Sequence, residues 1–351
     1  MKKLNIKSVI AIFFIAVLLT GCSSTQNNTT KNSEFLARTE FLMDTVMTVR
    51  IYDNQDEKIL DKVFDRLKEI EDRMSSTIET SDVSNINKNA GIQPVTVNSD
   101  TYYVLEKAMY YAKLSNGVYD PTIGTLADLW EIDGEETERD HIPSEEEIEE
   151  AKSLVNYNDL ELLGNNQVYL KKKGMRITLG SIVKGYAADE VKRILEENNV
   201  KSAIVDLGGN LYILGKKLNG SSFRIGIQDP FSPKGNYAGI IEVTDKSVVT
   251  SGDYERYFYY NGKKYHHILD TSTGYPVENE LTGVSIITNS SIDGDALSTT
   301  IFAMGLDKGM EFVNSIEDIE AIFITKDKSI YLTSGLKDNF IVGNSSFKIV
   351  E

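Results

Sequence analysis

Cysteine is almost absent, one residue in 351, and histidine occurs three times. That leaves little material for a Cys/His zinc centre or a structural disulfide framework. Basic residues are outnumbered, 37 Lys and Arg against 53 Asp and Glu, for a formal net charge of −16. Such a surface repels phosphate backbones and argues against a nucleic-acid partner. A phosphorylated small ligand stays open, because a local pocket or a bound cation can reverse the field. For most of the acidic surface, solubility is a sufficient account. No Walker A pattern and no fixed-period repeat occur. What is present, 41% hydrophobic and 26% charged residues, is ordinary for a globular chain. The length allows one large domain or two moderate ones, with a core that needs no staples.

The amino terminus reads as an address. Lys2, Lys3 and Lys7 precede a mostly apolar run from residue 8 to 19, too short for a comfortable membrane span and suited to a secretory signal. Leu19-Thr20-Gly21-Cys22 follows, and it resembles the lipobox of bacterial lipoproteins. That resemblance implies cleavage before Cys22, diacylation of its thiol, and a protein held on the extracytoplasmic face of the cell membrane by its lipid. The alternative is a plain signal peptide with a cysteine there by accident. Loss of residues 1–21, with their three lysines, would take the charge from −16 to −19. Residues 22–35, rich in Ser, Thr, Asn and Gln, read as a flexible tether. The folded domain is expected over 36–340.

Periodicity predicts a strand over 40–52, helices over 57–74 and 100–114, and an irregular loop over 75–94. Residues 131–150 are densely acidic and read as a solvated insertion, with Ser144 capping a helix that runs to 155. Short β segments fill 160–178, and a helix covers 182–198. Strands dominate thereafter, with a hairpin at Asn261-Gly262 and a strand–helix–helix–strand–strand unit over 283–332. Runs of strands set apart from helices predict an α+β fold with mixed and antiparallel sheets and packed helices.

Several glycine-bearing polar clusters stand apart from this framework. Residues 118–126 contain Asp120-Pro121-Thr122 ahead of a short helix, where free backbone N–H groups suit an anion. A simple helix N-cap also explains Asp120 or Thr122. Residues 178–189 place Lys184 in the first turn of a helix, an unfavourable position for a cation unless it meets an anion; an exposed lysine is the plain alternative. Asp206-Leu207-Gly208-Gly209-Asn210 allows either a close backbone approach to a ligand or a turn. Residues 250–257 precede His266-His267, one of which can face a pocket and shuttle a proton or steady a phosphate oxygen; either is also compatible with a core or surface role. Asp295 and Thr299 lie four apart on a predicted helix, a carboxylate and a hydroxyl on one face, suited to a hard cation such as Mg²⁺. An acidic first turn that favours the helix dipole is the competing reading.

In order, these stretches stand as F-L-M-D-T-V-M-T-V, Y-D-P-T-I-G-T-L, L-G-S-I-V-K-G-Y-A-A-D, D-L-G-G-N, T-S-G-D-Y-E-R-Y, H-H-I-L-D-T-S-T-G-Y-P and D-G-D-A-L-S-T-T. Together they resemble the ApbE family of bacterial FAD:protein FMN transferases, over roughly residues 41–332. The resemblance implies a T-fold-related architecture with an FAD cleft between sub-domains and one Mg²⁺ on the dinucleotide's pyrophosphate. It assigns FAD contacts to Met43, Thr77, Asp120, Pro121, Thr122, Lys184, His267 and Ile268, the match at Thr77 being loose. It assigns the metal to Asp295, Thr299 and the backbone carbonyl of Ser181. Two departures stand out: Thr178-Leu179-Gly180-Ser181 replaces the family's frequent Asp-Leu-Gly-Gly, and Asp270-Thr271-Ser272-Thr273-Gly274 its usual Asp-Pro-Arg-Thr-Gly.

The activity so implied is transfer of FMN from FAD to a Ser or Thr hydroxyl of an extracytoplasmic acceptor protein, with release of AMP. His267 is the first candidate for taking the hydroxyl proton, an acidic residue the second, and Asp295 is the residue on which Mg²⁺ chemistry depends. Two alternatives stay open: Mg²⁺-dependent hydrolysis of FAD to FMN and AMP in the same pocket, and storage of flavin or another solute by a non-catalytic lipoprotein, against which the Asp295/Thr299 pair tells.

Overall fold

The computed structural model describes residues 35–350 apart from 133, 135 and 136. Cys22, the expected signal peptide and the expected tether up to residue 34 lie outside the described residues. The first expected strand is a hairpin, β1 (Leu36–Leu42) and β2 (Thr45–Ile51), because Met43 and Asp44 turn the chain with φ of 49° and 58°. Apolar residues at helical spacing and an Asp56 cap on the Lys58 amide form α1 (Glu57–Met74). The polar stretch after it is not simply loop: Ser81 caps α2 (Asp82–Lys88) by accepting from the Ser84 amide at 2.9 Å, and Val83 and Ile86 are buried. Then come β3 (Val95–Thr96), α3 (Ser99–Leu114) and α4 (Gly124–Trp130).

The acidic segment holds β4 (Thr137–Glu138) and α5 (Glu145–Lys152), the latter opened by a reciprocal Ser144–Glu147 capping box. It is less solvated than its charge implies. Ile148 and Ile132 are buried with Trp130, Phe258 and Tyr265 in a small apolar cluster of their own. Next are β5 (Leu160–Gly164), β6 (Gln167–Leu170) and α6 (Val183–Glu197). The strand-rich part comprises β7 (Ser202–Leu207), β8 (Asn210–Gly215), β9 (Phe223–Gln228), β10 (Tyr237–Val243), β11 (Lys246–Gly252), β12 (Tyr257–Tyr260) and β13 (Lys263–His266). The chain ends in β14 (Leu281–Thr288), α7 (Ser291–Met304), α8 (Leu306–Asn314), β15 (Glu320–Thr325), β16 (Ser329–Leu332), β17 (Phe340–Val342) and β18 (Lys348–Ile349).

Nine strands form one sheet in the order β1-β2-β7-β8-β11-β14-β15-β16-β18, antiparallel except for the last pair. Alternate residues of its middle strands serve two cores. Tyr212, Leu214, Val284, Ile286, Ala321 and Phe323 join α1, α6 and α7 in the larger one. Ile213, Val248, Ile287, Ile322 and Ile324 join a three-stranded sheet, β17-β10-β9, in the other. Burial on both faces is why β14 is apolar or small along its whole length. β17 and β18 extend the fold beyond the expected boundary at 340, and the described residues form one compact unit. Among the described residues no helix is long and apolar enough to cross a membrane.

Candidate functional site

Two helices meet at the site because one of them lacks a side chain. A Cβ on Gly185, in the first turn of α6, would come within 2.6 Å of Ile292 Cα, so only glycine lets α6 lie against the start of α7. The same contact lets the Gly185 amide donate to Asp295 Oδ2 at 2.9 Å. Asp295 is 4% exposed, and Oδ1 has no hydrogen-bond partner among the described residues. One turn further on, the Thr299 hydroxyl lies 3.3 Å from Ser251 Oγ, which also meets Ser298 Oγ at 2.8 Å. The last residues of β11 thereby hold the polar face of α7.

Ser181 enters from the loop before α6 and donates from Oγ to the Tyr119 hydroxyl at 3.4 Å. Tyr119 is buried beside both Asp295 and Asp120, and desolvation with these two carboxylates keeps its phenol protonated far above the usual range. Lys184 answers the conflict posed by its position at a helix start: its Nζ turns back to the Gly180 carbonyl at 2.9 Å. That ammonium is also close enough to His267 to act on its titration.

The two histidines divide as a strand end requires. His266 is buried, with Nε2 2.8 Å from the Val277 carbonyl and its ring edge-on to Phe302. His267 is partly open, and its Nδ1 lies 3.3 Å from the Arg256 carbonyl. A carbonyl only accepts, so Nδ1 carries the proton and Nε2 keeps its lone pair. Desolvation first, then the charge of Arg256, with further contributions from the His266 ring and Lys184, hold His267 well below the usual imidazole value. The ring is therefore neutral at pH 7. Ile268 is buried in the larger core, and its amide donates to His266 Nδ1 at 3.3 Å.

Asp120, Pro121 and Thr122 spend their polar groups within the fold. Asp120 Oδ1 accepts from the Thr122 amide and hydroxyl at 2.8 and 2.6 Å, and its Oδ2 from the Tyr157 amide at 2.8 Å. The Thr122 hydroxyl accepts from the Asn156 amide, and the Pro121 carbonyl from the Thr178 amide, both at 2.9 Å. This turn ties α4 to the segment before Ser181, so its side chains are structural first. Met43 and Thr77 lie at the far end of α1. The Met43 amide donates to Glu71 Oε1 at 2.6 Å, and Thr77 is exposed, its Oγ1 2.9 Å from Ser75 Oγ. Their hydrogen bonds run to α1 and its exit turn. Asp206–Asn210 resolves to a tight turn between β7 and β8, with Gly208 and Gly209 at φ of 66° and 91°.

No three His, Cys, Asp or Glu side chains group as a metal centre among the described residues. Asp295, Thr299 and the Ser181 segment offer one carboxylate with neutral oxygens. That donor set fits a small hard cation that completes its shell with water and phosphate oxygens. A surface cavity of about 490 Å³ lies between α3, the start of α7 and the loop before β15. Tyr119, Gly185 and Ser251 carried no expected role, although each sits inside one of the glycine-bearing stretches singled out above.

The profile of the ApbE family matches residues 43–323. The chain is 34% identical to the FAD:protein FMN transferase of Klebsiella pneumoniae over 311 residues, 88% of this chain and 95% of that one. It is 32% identical to the Treponema pallidum protein of the same name over 329 residues, 89% and 90% of the two. Among solved structures, the flavin transferase ApbE of Vibrio cholerae superposes with a TM-score of 0.78 at 26% identity, covering 87% of this chain and 99% of that one. The ApbE protein of Thermotoga maritima gives the same score and coverage at 32% identity.

Proposed function

The chain belongs to the ApbE family, and on that premise we propose that it transfers FMN from FAD to a Ser or Thr hydroxyl of an acceptor protein, with Mg²⁺ at Asp295 and AMP as the leaving group. The observation that carries this reading is the Asp295 carboxylate, pinned by the Gly185 amide one turn from Thr299 and facing the Tyr119 phenol that Ser181 also meets. The acceptor oxygen attacks the FMN phosphorus, and the bond from that phosphorus to the bridging oxygen breaks. The hydroxyl proton passes to His267 Nε2, which is neutral and unprotonated at working pH. Lys184 holds a phosphate oxygen, exchanging the Gly180 carbonyl for the substrate. Mg²⁺, once held by Asp295, Thr299 and the Ser181 carbonyl, would neutralise charge on the pyrophosphate and the departing AMP. Positioning supplies much of the remaining acceleration. The lipobox cysteine, Cys22, would anchor this chemistry on the outer face of the cell membrane.

The test is to incubate the full chain with FAD, Mg²⁺ and a membrane extract, following AMP and protein-bound flavin together. A fluorescent protein band formed in step with AMP is expected. Asp295→Asn keeps an acceptor for the Gly185 amide but removes the charge, and should lower transfer at least about a hundredfold. AMP released without protein-bound flavin would make the enzyme a pyrophosphatase, and unchanged transfer by Asp295→Asn would remove the metal assignment.

A further inference from the structure

Ser290, the residue that precedes α7, makes no side-chain cap, so the first amides of that helix need another partner. Asp189 of α6 supplies it: Oδ1 accepts from the Ser291 amide and Oδ2 from the Ile292 amide, both at 2.9 Å. Asp189 stands one turn after Gly185, on the same face of α6. The two helices are thus joined reciprocally. An amide of α6 donates to the carboxylate of α7, and two amides of α7 donate to a carboxylate of α6. Ser291 is held from its other side as well, its hydroxyl 2.7 Å from both Asn210 Oδ1 and Ser247 Oγ.

We infer that Asp189 is a positioning residue for flavin transfer: its bidentate cap fixes the rotation of α7 against α6, and so the aim of Asp295 and Thr299 at the Ser181 loop. This rests on the transferase reading above. The cap has an electrostatic cost, since burial pushes the Asp189 carboxyl up to about 6. The charges that face it are Lys192 on α6, Asp293 on α7, and Lys107 on α3, which is paired with Asp293 at 2.8 Å. A single added proton removes the negative charge from the clamp.

The full chain in detergent, titrated with Mn²⁺ as the metal probe and read by electron paramagnetic resonance, tests this. Asp189→Asn keeps one acceptor and loses the charge. It should weaken Mn²⁺ binding about tenfold, the scale of a lost cap, and lower kcat while leaving the KM for FAD within about twofold. Hydrogen exchange at the Ser291 and Ile292 amides should quicken while the rest of α7 stays protected. Wild-type Mn²⁺ affinity and kcat in a folded Asp189→Asn overturn the inference, and so does global unfolding, which would make Asp189 a general stabiliser. The wild type gives a second arm that needs no variant: protection of those two amides should fall as pH drops through about 6, and a flat profile overturns the inference. If the wild type binds Mn²⁺ and FAD but flavinylates nothing, the transferase reading fails while both the metal and exchange arms still judge the clamp.

Discussion

His267 combines two properties that a proton acceptor needs: a lone pair left on Nε2 and neutrality at pH 7. His267→Gln keeps a donor near the Arg256 carbonyl and removes the base, so transfer should fall about 10²–10⁴-fold with FAD affinity nearly unchanged in a fluorescence titration. Equal losses in both would make it a binding residue. The pH behaviour follows from the sign of the shift. The folded imidazole has the lower pKa, so the unfolded chain binds more protons below about 6.5, and stability is lost as pH falls through that region. In His267→Gln, that fall in urea-melt stability should be shallower. The candidate residues Lys184, His267, Asp295 and Thr299 were visible in the sequence because they sit in glycine-bearing stretches. The partners were not. Nothing in the sequence tells that Lys184 reaches the Gly180 carbonyl, or that Asp120 spends one oxygen on its own turn and the other on the distant Tyr157 amide.

Among the elements, α1, α3 and α6 follow the apolar period to within a residue, since each buries one face in the larger core. The hairpin at Met43-Asp44 was read as one strand because β-branched and apolar residues run on both sides of it and Met43 is an unusual choice for positive φ. A non-glycine residue held there is a site of local strain next to the methionine that the family resemblance assigns to FAD. α2 was missed since its seven residues are mostly polar, and only Val83 and Ile86 carry its packing signal. The α6–α7 contact yields a sharp prediction. Gly185→Ala must push the helices apart, and it should cost about 1–3 kcal/mol in urea unfolding while also weakening metal binding. Retention of both would mean that α6 shifts without disturbing Asp295.

At the scale of the molecule, the α+β class was readable from the order of strands and helices, but the nine-strand order was not, because it depends on pairings between segments far apart in the chain, such as Met47 of β2 with Leu207 of β7. β17 and β18 are likewise held by distant strands, β10 and β16, which no local pattern announces. The acidic insertion shows the limit of charge as a guide. Ile148, fully buried, packs it onto Trp130 and the β12–β13 hairpin. Ile148→Ala should cost about 2–5 kcal/mol in urea unfolding and red-shift the tryptophan emission. An unshifted spectrum would mean that Trp130 is shielded without the insertion.

Trp130 is the chain's one tryptophan, 1% exposed, with its indole N–H donated to the Gly274 carbonyl at 2.8 Å. A dry, immobile indole emits in the near ultraviolet, where the isoalloxazine ring absorbs. Energy can then pass from donor to dye without contact. The unlabelled protein thus carries its own optical gauge of occupancy: ultraviolet glow dims as dinucleotide arrives, and brightens again once the coloured half has been handed on.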